Sequence, residues 1–145
     1  VNIIGRAAMI GAASGLRSQF GSGAVVLALR NQNAPGFLRR RTVRTAFALA
    51  VAGEIVADKL PVAGSRLAPG PLAARVVLGG AAAGYLAWSR QAPVVPAAAV
   101  AALVALGAAK LGHDVRAAVA TKVPDLAVAV AEDALAASLA LAAVR

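Results

Sequence analysis

From Gln91 to Ala109 the chain runs without a single charge, about the length of helix that crosses the hydrocarbon core of a bilayer. The rest of the sequence keeps the same character. Sixty per cent of residues are hydrophobic, 14% are charged and the mean hydropathy is +0.76, where a soluble domain carries about a quarter charged residues. The apolar residues are mostly Ala, Val and Leu, accompanied by 14 Gly. Small side chains let helix backbones approach closely in lipid, where association rests on packing and not on expulsion of water. The expected class is therefore an all-α membrane bundle, with a soluble alanine-rich bundle as the competing class.

Apolar segments fall near residues 3–30, 43–59, 72–89, 94–110 and 126–144, separated by "NQNAPG", "LPVAGSRLAPGP", "QAPVVP" and "KVPD", which helices do not tolerate. The first segment is too long for one span. As a continuous helix it would reach about 42 Å against a hydrocarbon core of about 30 Å. The expected break lies in "SGLRSQFGSG" (14–23), giving a two-legged or re-entrant hairpin and a total of five or six short spans in one domain. Irregular backbone at that depth must be covered by protein or by a wet cavity.

Two decapeptides, "RAAMIGAASG" (6–15) and "RVVLGGAAAG" (75–84), align without a gap. Each is followed by a second apolar leg and then by an acid-bearing helix. Halves 1–60 and 72–145 with three segments each would insert in opposite orientations, the inverted-repeat plan of many transporters. Chance alignment of Ala/Gly-rich sequence is the other explanation. The motifs "GAASG" and "GAAAG" are read as close helix crossings.

The formal net charge of +9 does not argue for nucleic acid, because the basic residues are dispersed between apolar runs and lack interleaved aromatics. Instead it fits a positive-inside membrane protein. "RNQNAPGFLRRRTVR" (30–44) carries five arginines, so this loop is expected in the cytoplasm. In a six-segment count both termini, Arg90 and Arg145 share that side, while Lys59 and Arg66 face the other. Tyr85 and Trp88 are the candidates for an aromatic belt. The N-terminal stretch lacks the pattern of a cleaved signal peptide.

Within "VAGEIVADKLP" (51–61), Glu54 and Asp58 share a helix face, with Lys59 at its end. Carboxylates at membrane depth are costly, so these should face the bundle interior, either as proton-relay or ion-binding acids or as partners of Arg6, Arg17 or Arg75. Glu132 and Asp133 point about 100° apart on a helix, so only one is expected to meet a partner squarely. The repeat favours Glu132 as the counterpart of Glu54, the two approaching each other to share a proton or a cation or to be bridged by arginines. Arg17 in "GLRS" is either an anion contact, aided by the surrounding glycines, or a counter-ion for the acids. Arg6 and Arg75 open the glycine helices, where snorkelling to an interface competes with function.

His113, the only His, stands in "KLGHDVR" and is read as a solvated helix end or loop. With no Cys there is no disulfide or thiolate chemistry, and no metal or cofactor is expected. No Ser-His-Asp spacing, phosphate loop or H-E-x-x-H pattern argues for an enzyme.

These residues resemble those of a family of small bacterial membrane proteins, domain of unknown function 4126. The likeness rests on "GLRS" (15–18), the E-x-x-x-D-K-L-P run from Glu54 to Pro61, "SR" (65–66), the Arg75-led glycine helix and "ED" (132–133). In order these cover nearly the whole chain. The resemblance implies a multi-pass bacterial inner-membrane protein and supplies no substrate. Two functions follow as expectations. One is a small transporter or channel for an ion or small solute, with Glu54, Asp58, Glu132, Asp133 and Arg17 at its centre and Arg6, Lys59, Arg66 and Arg75 in support. The other is an accessory subunit of a larger membrane complex. Membrane lipid and either further copies of the chain or other membrane subunits are the expected partners.

Overall fold

The computed structural model describes residues 2–28, 35–57 and 67–145. Asp58, Lys59 and Arg66, with the remainder of the E-x-x-x-D-K-L-P and S-R motifs, lie outside the described residues. The elements are α1 (Ile3–Leu16), α2 (Ser18–Ala28), the single turn α3 (Gly36–Arg39), α4 (Arg41–Ala57), α5 (Pro69–Ser89), α6 (Val94–Val119) and α7 (Asp125–Val144), with no strand among the described residues.

The sequence punctuation marks most of these ends. Pro69 opens α5, Pro93 precedes α6 and Pro124 precedes α7, positions where a missing N–H costs nothing because the first turn has no carbonyl to bond. Asn2 Oδ1 accepts a 2.8 Å bond from the Gly5 amide and so caps α1. One boundary differs from expectation. The apolar run ends near Lys110, but α6 continues to Val119, because "KLGHDVR" contains no proline, its one glycine costs only about 1 kcal/mol, and Lys110 pairs with Asp114 one turn on at 2.8 Å. His113 is exposed within this last part of the helix.

The first apolar segment is broken at Arg17, whose backbone is extended (φ −139°, ψ 115°). Among the described residues, α5, α6 and α7 are the helices long and apolar enough to cross a membrane by length and composition. Over their described residues α1 and α2 measure about 21 Å and 16 Å, shorter than the hydrocarbon core, and α4 carries Arg41, Arg44 and Glu54 within its length. Three of the expected five or six spans are thus shown by the described helices.

Glycine contacts fix the directions of the helices. A Cβ on Gly11 would strike the Ala101 carbonyl and one on Gly15 the Ala105 carbonyl, so α1 and α6 run parallel. Gly80 and Gly84 lie against Ala98, Ala102 and Val94 in the reverse order, so α5 is antiparallel to α6. Gly21 of α2 sits on Ile10 and Ser14, which folds α2 back along α1. Arg6 donates to the Ala143 carbonyl at one end of α7 and Arg17 to Asp133 nearer the other, so α7 is antiparallel to α1. α1 lies at the centre, against α2, α5, α6 and α7.

On α6 and α7 side-chain size is distributed inside out. The buried stripe of α6 is Ala97, Ala101, Ala105 and Ala109, and that of α7 is Ala129, Ala136, Ala140 and Ala143. Val95 is 78% exposed and Leu103 70% exposed, and Leu106, Leu111, Val130, Leu135 and Leu141 also face outward. Water would drive the larger residues inward at about 1.5–3 kcal/mol each. Lipid exerts no such drive, and alanine and glycine at the seams allow the closest backbone approach.

Candidate functional site at the hairpin tip

The break between α1 and α2 forms the tip of a helical hairpin. Ser18 and Gln19 would have bonded to the carbonyls of residues 14 and 15 had the helix continued. Instead, Glu54 of α4 receives them: the Ser18 amide donates to Oε1 at 2.7 Å, the Gln19 amide donates to Oε2 at 2.8 Å, and the Ser18 hydroxyl also donates to Oε1. A carboxylate thus occupies the positive end of α2, where its charge and both oxygens are used. An arginine partner was one of the two roles expected of Glu54, beside that of a relay or ion-binding acid. Its recorded partners are the amides and hydroxyl of the broken helix.

Arg17, at the break itself, is fully buried. Its guanidinium donates from Nε to Asp133 Oδ1 and approaches the Ala129 carbonyl through Nη2 at 3.5 Å. Of the two roles weighed for Arg17, the counter-ion is the one the geometry realises. Asp133 is its acid, and Glu132 faces elsewhere. Arg116 near the end of α6 holds Asp125 in a bidentate pair at 2.6 and 2.8 Å and reaches Glu132 at 3.4 Å. The expectation that only one of Glu132 and Asp133 meets a partner is therefore corrected. Their 100° separation aims them at two different arginines, one at the α1–α2 break and one on α6.

Glu54 and Glu132 have separate recorded partners, and no shared contact joins them among the described residues. Arg75 does not snorkel to an interface. It is only 5% exposed, one turn before Gly79, which lies against Ser14. Because α5 is antiparallel to α1, Arg75 sits at the level of the hairpin tip. Arg6 instead caps the C-terminus of α7, donating to Ala143 O at 2.7 Å, while Arg90 donates to Val144 O at 3.0 Å. Burial and the neighbouring Arg6 charge pull the Arg90 pKa below its usual range.

The tip lies inside the bundle, short of its end. Asp133 is eight residues into α7, Arg75 six into α5, and Gly112, which neighbours Leu16 and Glu132, seven before the end of α6. Each count sets the tip about 10 Å inside that end. Ser14 Oγ is buried close by, without a hydrogen-bond partner among the described residues. Sequence reasoning missed Ser18 and Gln19 as carboxylate donors, and Arg116 with Asp125 as the clamp on Glu132. Ser18 lies within the "GLRS" motif, but nothing in the sequence announces the pairing of Arg116 across the "KVPD" turn.

Comparison with protein-family models, with curated proteins and with solved structures yields no match.

Proposed function

We propose that this chain is a small bacterial inner-membrane transporter or channel for an ion or small solute, worked by the hairpin tip. The carrying observation is Glu54 seated on the N-terminal amides of α2. Discontinuous helices whose half-helix ends face the protein interior are where membrane carriers hold charged cargo. Here the chain's own carboxylate takes that position, with Arg17 and Asp133 paired beside it. A proton delivered to Glu54 removes its charge, weakens its hold on Ser18 and Gln19, and frees two amides for a passing anion. The same event lets α4 move relative to α2. In this reading the hairpin is re-entrant, entering from the arginine-rich cytoplasmic end, and the chain works as a homo-oligomer, since so few helices enclose little interior. The alternation of helix directions is compatible with two inverted halves, α1, α2 and α4 against α5, α6 and α7.

The alternative is an accessory subunit of a larger membrane complex. It is favoured by one specific observation: Arg17, Arg116, Glu54, Glu132 and Asp133 all have protein partners, as charges with a purely structural role would. The two readings separate in liposomes. Proton, alkali-cation and halide flux is measured for the wild type beside Glu54→Gln. Transport predicts flux that the variant abolishes while remaining folded. Absence of flux for every ion, with loss of folding in the variant, transfers the acids to a structural role in a subunit.

A further inference from the structure

Arg39, Arg40, Arg41 and Arg44 crowd the start of α4, whose first turn contains no acid. That is the wrong sign for a helix N-terminus, which carries partial positive charge and favours anions. Nothing in the described chain offsets it. Glu54 is near the far end of α4 with its carboxylate on Ser18 and Gln19, while Asp114, Asp125, Glu132 and Asp133 belong to the opposite half of the bundle.

A cavity of about 290 Å3 lies at this point, lined by Leu27, Arg39, Arg41, Arg44, Thr45 and Ala48. Arg44 Nη2 donates to the Leu27 carbonyl at 3.0 Å, which orients its guanidinium beside the cavity, and Arg39 and Arg41 are exposed around it. At roughly 30 Å3 per water-sized group, the space suits a phosphate with its ester arms. Planar guanidinium forks match phosphate oxygens in pairs. The cavity shares its end of the bundle with Tyr85 and Trp88, stacked at 5.8 Å with Trp88 49% exposed, as interfacial aromatics are at headgroup depth.

We propose that this cavity binds the phosphodiester of an anionic phospholipid headgroup, with Arg39 and Arg41 as its contacts and Arg44 as the oriented third. The inference rests on the membrane reading and is independent of transport. Basic pockets between helices on the cytoplasmic side are suited to such headgroups, and an anionic leaflet attracts each arginine held near it.

The full chain, purified in neutral detergent, is titrated with short-chain phosphatidylglycerol, short-chain phosphatidylcholine and inorganic phosphate. Phosphatidylglycerol is expected to bind at least about tenfold more tightly than phosphatidylcholine. Arg39→Gln with Arg41→Gln should lose at least about tenfold of that affinity. Arg40→Gln with Arg145→Gln, the same charge change at the same end but outside the cavity, should lose no more than about twofold. Equal losses in both pairs would mean diffuse attraction to a basic surface and overturn the site. Inorganic phosphate that binds as tightly as phosphatidylglycerol would overturn the lipid assignment. Should Arg39→Gln with Arg41→Gln fail to fold, the wild-type headgroup preference decides alone, and its absence sinks the proposal. Recovery of the protein in the soluble fraction without detergent would instead remove the membrane reading beneath both this site and the transport function.

Discussion

Arg17 has a fully buried side chain and Asp133 is 16% exposed, so their ion pair has little solvent to screen it. Removing one member leaves the other charge without its partner, at a cost of about 3–5 kcal/mol for a buried pair. Asp133→Asn should therefore lower the melting transition in detergent sharply. Glu132→Gln should cost less, about 1–3 kcal/mol, because Arg116 keeps its bidentate bonds to Asp125 and the glutamine amide still offers it an acceptor. Replacing both members, Arg17→Met with Asp133→Leu, removes the desolvation cost along with the pair and should recover most of the lost stability. A double variant that is stable but carries no flux would assign the pair to function. One that is stable with flux intact would make it structural. Glu54 and Arg17 were legible from sequence because charge at membrane depth is costly and must have a reason. The seat of Glu54 was not, since a broken helix offers backbone amides that no side-chain pattern records, and for Arg17 an acid was expected without the choice among the acids being fixed. The rotation of α7, which sends Asp133 to Arg17 and Glu132 to Arg116, follows an alanine stripe, and in a chain this rich in alanine that stripe has no apolar contrast with its surroundings.

At the scale of the helices, glycine placement separates seams from open faces. A methyl on Gly11 or Gly15 would meet backbone atoms of α6, which cannot rotate away, so the two helices must part along their whole contact. Gly11→Ala and Gly15→Ala should each destabilise by about 1–3 kcal/mol. Gly107 lies in α6 with nothing within 4 Å of a would-be Cβ, so Gly107→Ala should be neutral or stabilise by up to about 1 kcal/mol through helix propensity. Melting temperatures of the three variants in one detergent check the contrast, and a destabilised Gly107→Ala would mean that this face is occupied by another chain. The sequence motifs "GAASG" and "GAAAG" do mark close crossings, since Gly11, Gly15, Gly80 and Gly84 all lie against α6. They do not reveal that α1 is a short central helix and α6 a long peripheral one, because both read as the same mixture of alanine, glycine and leucine.

For the whole molecule, charge divides by end. Arg6, Arg39, Arg40, Arg41, Arg44, Arg90 and Arg145 gather at the end where α1 starts and α7 stops, with no described acid among them. The opposite end mixes Lys110, Arg116 and Lys122 with Asp114 and Asp125. An arginine-rich, acid-free end is the one that the positive-inside bias retains in the cytoplasm, where Lys and Arg near helix ends set orientation. The absence of native cysteine gives single-cysteine labelling a clean background on which to test this. Arg40→Cys and Arg145→Cys should both react with an impermeant maleimide only when the cytoplasmic face is open, and Lys122→Cys only from the other face. The count of crossings makes this a demanding test. Residues 40 and 145 share a side only if the chain crosses an even number of times between them, so α4 must cross along with α5, α6 and α7. Labelling of Arg40→Cys and Arg145→Cys from opposite faces would require one of α4, α5, α6 and α7 not to cross, and would remove the bundle geometry that surrounds Arg17 with protein.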